Sequence, residues 1–196
     1  MIKPNLKQYA QALFLAAVVF MIGVSSASAQ QASEKATRLA LGAVSGGAKS
    51  QVMVPLFLTP YPPEAQVGDI SADVVYPSKG FTFLRAEKSF LLDGVGGSFQ
   101  AKAEPDAKDP NKSAIHLEVT TKGEPRKGFR EGLILTLVFR IEPDAAVGKT
   151  VTLDLEKFTA TNIENKPMQP LVSKKGTIQV VSPEGLPYVG CFFFSH

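Results

Sequence analysis

Hydrophobic and polar residues alternate in short runs from about residue 51 onward, and Gly, Pro, Asp or Asn separates the runs. In DISADVVY (69–76) every second residue is apolar, and TVTLDL (150–155) repeats the pattern. Successive side chains of a β-strand point to opposite faces, so this alternation predicts strands with one face on a core and the other in solvent. The chain is therefore predicted to be an all-β, antiparallel sandwich of about eight or nine strands.

The candidate strands cover most of the chain beyond its first quarter: 51–58, 69–76, 81–88, 98–104, 114–121, 132–141, 150–162 and 176–182. The run LILTLVF (133–139) is apolar on both faces, which predicts a central strand. Pro55 has no N–H to donate to a neighbouring strand, so it indicates an edge or a bulge in the first of these strands. No segment of comparable length has a helical period.

The N-terminus has the pattern of a secretory signal peptide. Two lysines precede an apolar run from Ala12 to Val24, and the small residues SSASA follow it. This order predicts that residues 1–29 are a signal peptide cleaved before Gln30. The run is shorter than the roughly 20 residues that a membrane-spanning helix needs, so we expect no membrane span in the mature chain.

Composition divides the remainder into three parts. Residues 30–48 are rich in Ala, Ser, Gly and Lys and are predicted to be a linker or flexible arm. The predicted β-sandwich domain spans 49–182. Two prolines and two glycines follow in SPEGLPYVG (182–190), so 183–196 are predicted to be a C-terminal tail.

Charge argues against one class of partner. Without residues 1–29 the chain has 19 Lys plus Arg against 18 Asp plus Glu, which is nearly neutral. Binding to nucleic acid depends mainly on basic side chains that contact phosphates, and no dense basic stripe is present. We therefore expect no nucleic-acid partner.

Four stretches together resemble a known family. They are QVMVPLFLTP, VGDISADVVYPSKGFTFLRAEK, EGLILTLVFRIEPDAAVGKTVTLDL and KGTIQVV, which follow one another within about residues 47–182. Their order of strands and turns resembles the cohesin domain, a jelly-roll sandwich related to cellulose-binding modules. One departure is that Tyr76 is followed directly by Pro77, where many cohesins have Tyr-Asp-Pro. The resemblance implies a small calcium-loaded dockerin as the partner.

Catalytic residues are not evident. Of the two histidines, His116 alternates with Ile115 and Leu117, which places it on the outward face of a strand. Asp154 and Glu156 share one face of a strand, as a glycosidase pair would, but outward charges are common on sandwiches. We expect no catalytic residue, no cofactor and no enzymatic activity.

Two loops contain clustered charges. Asp106, Asp109 and Asn111 lie in EPDAKDPNK, where oxygen ligands at such spacing hold calcium in some proteins. The segment lacks the order of an EF-hand loop, so a polar hairpin is favoured and no metal site is predicted. The second loop, KGEPRKGFR (122–130), is basic and is either a contact for an acidic partner or, as its Gly and Pro favour, a solvated connection.

Carbohydrate recognition usually requires exposed aromatic rings. The chain has no Trp, and Tyr76 falls on the apolar side of its strand. Tyr61, in the Pro-rich stretch TPYPPE, is left as a possible ligand contact. A flat cellulose-binding face is therefore disfavoured, whereas a smaller polysaccharide site that uses Tyr61 remains an alternative.

The tail contains the only cysteine of the chain, Cys191, followed by three phenylalanines. Three interpretations remain open. The segment CFFFSH docks in a groove of its own domain, or it is an export or processing signal. Alternatively, Cys191 is an attachment point that forms an intermolecular disulfide or carries a lipid.

The sequence thus predicts an exported, non-enzymatic protein-binding or cell-surface assembly module of cohesin type. Its partner is a dockerin-like or other surface protein, and its location is secreted, periplasmic or at the cell surface. The alternative is a carbohydrate-binding module that acts on extracellular polysaccharide.

Overall fold

A computed structural model describes residues 35–107 and 109–182, and the fold is that of residues 37–182. The predicted signal peptide and the predicted tail lie outside the described residues. The elements are β1 (Thr37–Leu41), β2 (Ala43–Gly47), β3 (Gln51–Thr59), β4 (Val67–Pro77), β5 (Phe81–Lys88), α1 (Phe90–Gly94), β6 (Ser98–Pro105), β7 (Lys112–Thr120), β8 (Gly132–Ile141), β9 (Thr150–Asn162), β10 (Leu171–Lys174) and β11 (Gly176–Val181). Among these residues no helix is long and apolar enough to cross a membrane.

The strands form two sheets. The five-stranded sheet has the order β10-β1-β3-β8-β5, and the six-stranded sheet has the order β2-β11-β9-β4-β7-β6. The all-β sandwich predicted from the alternation is confirmed. The described residues hold eleven strands rather than eight or nine, and the pairs β1–β10 and β2–β11 are parallel.

One apolar core lies between the sheets. The inward residues of both sheets are almost fully buried, among them Val54, Leu137, Val74 and Ile115. Phe139 contacts Tyr76 edge to face at a centroid distance of 5.2 Å, which joins β8 of one sheet to β4 of the other. Tyr76 is thus a core residue, as its place in the alternation predicts.

The predicted linker over 30–48 is wrong for residues 37–47, which form β1 and β2. The sandwich therefore begins at Thr37 rather than at residue 49. The stretch TRLAL alternates over only five residues, and its Leu39 and Leu41 enter the core. That short alternation is obscured by the surrounding Gly, Ala and Ser, whose composition is typical of linkers.

Gly42 carries the chain from one sheet to the other. Its N–H donates to the carbonyl of Pro55 in the five-stranded sheet, and its carbonyl accepts from the N–H of Thr177 in the six-stranded sheet. A Cβ at this position would lie 2.6 Å from Pro55 Cγ. Only glycine fits between the two sheets here, which explains why β1 and β2 are consecutive strands of different sheets.

The predictions for the long apolar strand and for Pro55 are confirmed. β8 lies between β3 and β5, so both of its edges are paired and it is a central strand. β3 is not an edge strand, since it lies between β1 and β8; Pro55 is in register with Thr136, and the register shifts one residue further on, between Leu56 and Phe57. The irregularity that Pro55 indicates is therefore a bulge close to it rather than a sheet edge.

Candidate functional site

Four adjacent strands of the six-stranded sheet direct polar side chains away from the core. We name this surface the polar face and define it by nine outward residues: Gln100, Lys102 and Glu104 on β6, His116 and Glu118 on β7, Ser71 and Asp73 on β4, and Glu156 and Thr159 on β9. The alternation of each strand produces the polar face, because the residues between these positions are mostly apolar and buried.

Asp73 is the most buried charged residue of the polar face. Its side chain is only 10% exposed, and both carboxylate oxygens have a partner. His116 Nδ1 lies 2.5 Å from Oδ1, and Lys157 Nζ lies 2.6 Å from Oδ2. A buried carboxylate is tolerated when it is paired in this way, so the three side chains hold one another in fixed positions.

Charged side chains form a row that extends to the edge of the sheet. We name it the charged row and define it by Lys157, Asp73, His116, Glu104 and Lys102. His116 Nε2 faces Glu104 at 3.9 Å, and Glu104 is in turn bound by Lys102 Nζ at 2.5 Å. The cross-strand register explains the order, because Asp73 is opposite His116 and His116 is opposite Lys102. Acidic and basic groups therefore alternate across β9, β4, β7 and β6.

Burial and pairing have opposite effects on Asp73. Burial raises the pKa of its carboxyl group, but the hydrogen bonds from Lys157 and His116 lower it by more, so the pKa lies below its usual range. The hydrogen bond to Asp73 likewise raises the pKa of Lys157. Asp73 is thus held as a carboxylate on the polar face.

A bulge in β9 places Lys157 next to the carboxylate of Asp73. The register between β4 and β9 shifts between Ser71 and Asp73, and Lys157 has the left-handed backbone angle φ of 50°. Non-glycine residues adopt this conformation at a cost and mainly where surrounding contacts enforce it. The bulge turns the side chain of Lys157 toward Asp73, as bulges commonly redirect a side chain.

Next to this row lies a shallow depression that crosses β7, β4 and β9. Its polar lining consists of two carboxylates and four hydroxyl groups: Asp69, Glu118, Ser71, Thr120, Thr159 and Thr161. Ile70 and Ala160 complete it, and no lysine or arginine belongs to its lining. The depression is therefore an acceptor-rich concavity suited to a cationic or hydroxyl-bearing group of a ligand.

Arg126 fixes one wall of the depression. Its guanidinium donates to Asp69 Oδ1 and to Asn165 Oδ1, each at 2.6 Å, and its Nε donates to Thr121 Oγ1 at 2.9 Å. Thr161 Oγ1 donates to the other oxygen of Asp69 at 2.9 Å. The basic loop predicted over 122–130 is thus tied to the sandwich through Arg126, whereas Lys122, Lys127 and Arg130 are exposed.

The residues considered for catalysis have separate surroundings. His116 is exposed and outward, as predicted, but its partner Asp73 was not anticipated. Asp154 forms an ion pair with Lys175 at 2.6 Å, and Glu156 is exposed two residues further along β9.

The segment of Asp106, Asp109 and Asn111 is a hairpin connection. Asp109 Oδ1 accepts from the backbone N–H of Asn111 at 3.0 Å, and the backbone N–H of Asp106 donates to the carbonyl of Lys112. Within 35–107 and 109–182, no group of three or more His, Cys, Asp or Glu side chains is placed to hold a metal ion.

Tyr61 lies on the connection between β3 and β4, apart from the polar face. It is half-buried, and its backbone N–H donates to Thr37 Oγ1 at 3.0 Å. Its role as a ligand contact stays a prediction. Cys191, the predicted attachment point, lies outside the described residues.

Sequence reasoning missed the charged row and the Arg126 contacts. Asp73 had been assigned to the outward side of its strand, but its partners are distant in the chain, with His116 43 residues away. A usable signal was present, since an acidic residue in one alternating strand and a histidine in another suggest a cross-strand pair. The strand register needed to match them was not available from the pattern.

No protein-family model matches this chain, and no curated protein matches it either. Solved structures do match. A non-cellulosomal cohesin from the archaeon Archaeoglobus fulgidus has a TM-score of 0.59 at 18% identity, over 76% of this chain and 94% of that one.

Two bacterial structures match to a similar extent. A type I cohesin–dockerin complex from Clostridium thermocellum has a TM-score of 0.60 at 17% identity, over 74% of this chain and 99% of that one. CaCohA2 from Clostridium acetobutylicum has a TM-score of 0.55 at 21% identity, over 75% of this chain and 92% of that one. The resemblance predicted from the strand order is confirmed at the level of the fold. The chain therefore has the cohesin fold.

Proposed function

We propose that this chain is a non-enzymatic protein-binding module that presents the polar face to a dockerin-like partner outside the cell. The proposal rests on the match to cohesin structures solved in complex with dockerins, which covers 99% of the matched chain. Nearly the whole length of those modules thus has a counterpart here. Export is proposed from the signal-peptide pattern of residues 1–29.

The polar face is proposed as the binding surface because its charges are already in place. Asp73, His116 and Lys157 are held by mutual contacts, so binding a partner would order few additional side chains. Association is opposed by the entropy lost when side chains become ordered, and a surface organised in advance reduces that loss. Fixed charges of both signs also select a partner with the complementary pattern.

The depression indicates the chemistry of the partner. Glu118 stands there among hydroxyl groups, whereas Asp69, the second carboxylate of the lining, is already paired with Arg126. A partner segment that places a lysine or arginine between Ser71 and Glu118 would gain charge-assisted hydrogen bonds there. We therefore propose that a basic side chain of the partner enters the depression.

Binding of dockerin modules encoded by the same organism tests this proposal by calorimetry. Glu118→Lys reverses a charge in the depression, and we expect at least about tenfold weaker binding. Glu131→Lys is the matched control, because Glu131 is exposed at the start of β8, away from the polar face, and should leave binding unchanged. Equal affinity of the Glu118 variant and the control would contradict the assignment of the face.

Calcium removal gives a second test of the partner. The resemblance implies that the calcium ions belong to the dockerin, so chelation should abolish the complex. The thermal unfolding of this chain alone should not change, since its described residues hold no metal cluster. Calcium-dependent unfolding of the isolated chain would contradict this division of roles.

The polysaccharide alternative is tested by retention on insoluble cellulose and related polymers. It rests on Tyr61 alone, a half-buried residue on the connection between β3 and β4. Retention that is lost in Tyr61→Ala would favour this alternative over the dockerin proposal. We expect no retention.

A further inference from the structure

The outer face of the five-stranded sheet carries an apolar stripe, which the proposed function does not use. We define it by Met53, Pro55 and Phe57 on β3, Leu133 on β8, and Phe90 on α1. Phe57 is opposite Leu133, so these two residues are neighbours across the two strands. Leu133 and Phe90 line the same groove, whose remaining lining is polar: Glu87, Lys88, Ser89, Asp93 and Thr136.

Three large side chains of this stripe are exposed. Met53 is 55% exposed, Phe57 44% and Phe90 95%. Isolated exposed apolar residues are ordinary, but large side chains that share one continuous surface commonly mark a contact site. The opposite surface of the domain, the polar face, carries no comparable group of exposed apolar side chains among the described residues.

The chain leaves the fold close to one end of this stripe. Val181, the last residue of β11, is paired with Gly47 at the end of β2. The turn from Gly47 to Ser50 leads directly into β3, whose first residue is Gln51. The segment after Ser182 therefore starts at the end of the domain where the stripe begins.

The length of that segment fits the stripe. The ten Cα–Cα steps from Ser182 to Phe192 span at most about 35 Å when extended. The six Cα–Cα steps of β3 from Gln51 to Phe57 span about 20 Å. The phenylalanines that follow Cys191 are thus within reach of the whole stripe on β3.

We propose that Phe192–Phe194 of the same chain cover the apolar stripe. In an extended segment Phe192 and Phe194 project to the same side about 7 Å apart, which matches the spacing of successive outward residues on β3. A covalently linked segment acts at an effective concentration of about millimolar, which favours it over a second copy at ordinary protein concentrations. The polar face remains free for a partner.

The lone cysteine provides a direct test in the exported chain with residues 183–196 intact. Thr136→Cys places a thiol beside Pro55 in the middle of the stripe. Thr152→Cys is the matched control, since it is exposed on the other sheet and pairs with Thr177 in β11, the strand that leads into the segment. Under mild oxidation we expect an intramolecular disulfide to Cys191 to form about tenfold faster at position 136 than at position 152.

A further variant tests whether the three phenylalanines cause the faster disulfide formation at position 136. Replacing Phe192, Phe193 and Phe194 by serine in the Thr136→Cys chain should remove the difference in rate, while circular dichroism confirms the fold. Equal rates at positions 136 and 152 in the parent chain would overturn the proposal. Disulfide-linked dimers whose yield rises with protein concentration would also overturn it, because they would identify a second copy as the occupant.

Discussion

Asp73 and His116 face each other across β4 and β7, with Oδ1 and Nδ1 2.5 Å apart. The pair lies at the centre of the polar face, and Lys157 completes it from the bulge in β9. This contact joins three strands that are well separated in the chain. Asp73 is therefore the residue on which the arrangement of the polar face depends most.

Asp73→Asn should lower the free energy of unfolding by about 1 to 3 kcal/mol at neutral pH. The change keeps the shape of the side chain but weakens two charge-assisted hydrogen bonds at a position that is 10% exposed. Urea denaturation followed by circular dichroism measures the effect. Asp144→Asn in the exposed turn after β8 is the control and should change stability by less than about 0.5 kcal/mol. Similar values for both variants would contradict the structural role of Asp73.

Acid should weaken the fold partly through the same carboxyl group. Because the pKa of Asp73 is lower in the folded chain than its ordinary value of 3.8, the unfolded chain binds the proton more readily. The stability that this difference contributes is present above about pH 4 and is lost as the pH falls through the folded pKa. Stability measured from pH 6 to pH 2 should fall less steeply below pH 4 in Asp73→Asn than in the parent chain. Parallel stability curves for the two chains would contradict the lowered pKa of Asp73.

Arg126→Lys should destabilise the fold by about 1 to 3 kcal/mol. The guanidinium joins Asp69, Thr121 and Asn165 at once, and a single ammonium group cannot reproduce that planar fork. The variant should also weaken partner binding, because Asp69 lines the depression. Lys127→Met, at the exposed neighbouring position, is the control for both measurements. Unchanged stability in Arg126→Lys would show that the loop is held by other contacts.

Phe139→Ala should be the most damaging of these substitutions, at about 3 to 5 kcal/mol. Its ring is fully buried and contacts Tyr76 at 5.2 Å and Phe83 at 5.7 Å, so its loss leaves a cavity between the sheets. Val147→Ala is the control, since that side chain is 59% exposed between β8 and β9, outside the apolar stripe, and its removal should change stability little. Thermal unfolding compares the two, and equal losses would contradict the position of the core.

Much of the sandwich could be predicted because alternation is a local property of the sequence. The strand at 69–76 was identified from its apolar positions alone, and those positions include Tyr76, now seen in the core. β1 was missed because its alternation lasts only five residues and lies next to glycines that suggest a linker. A strand as short as β1 is therefore hard to recognise from alternation alone.

The candidate site was less predictable because it depends on register. His116 was expected to point outward and does so, but its contact with Asp73 follows from the pairing of β4 with β7. The position of Lys157 depends on a bulge and a left-handed residue, which no composition or spacing indicates. Cross-strand contacts of this kind come from the assembled sheet and not from any single segment.

The most direct measurement of the central claim is a nuclear magnetic resonance titration of the ¹⁵N-labelled chain with a dockerin module from its own organism. We expect the resonances that shift to belong to the polar face and its depression, with Ser71, His116, Glu118 and Thr159 among them. Shifts confined to the outer face of the five-stranded sheet around Met53 and Phe57 would contradict it. The absence of any shift with every dockerin of that organism would contradict the proposed partner itself.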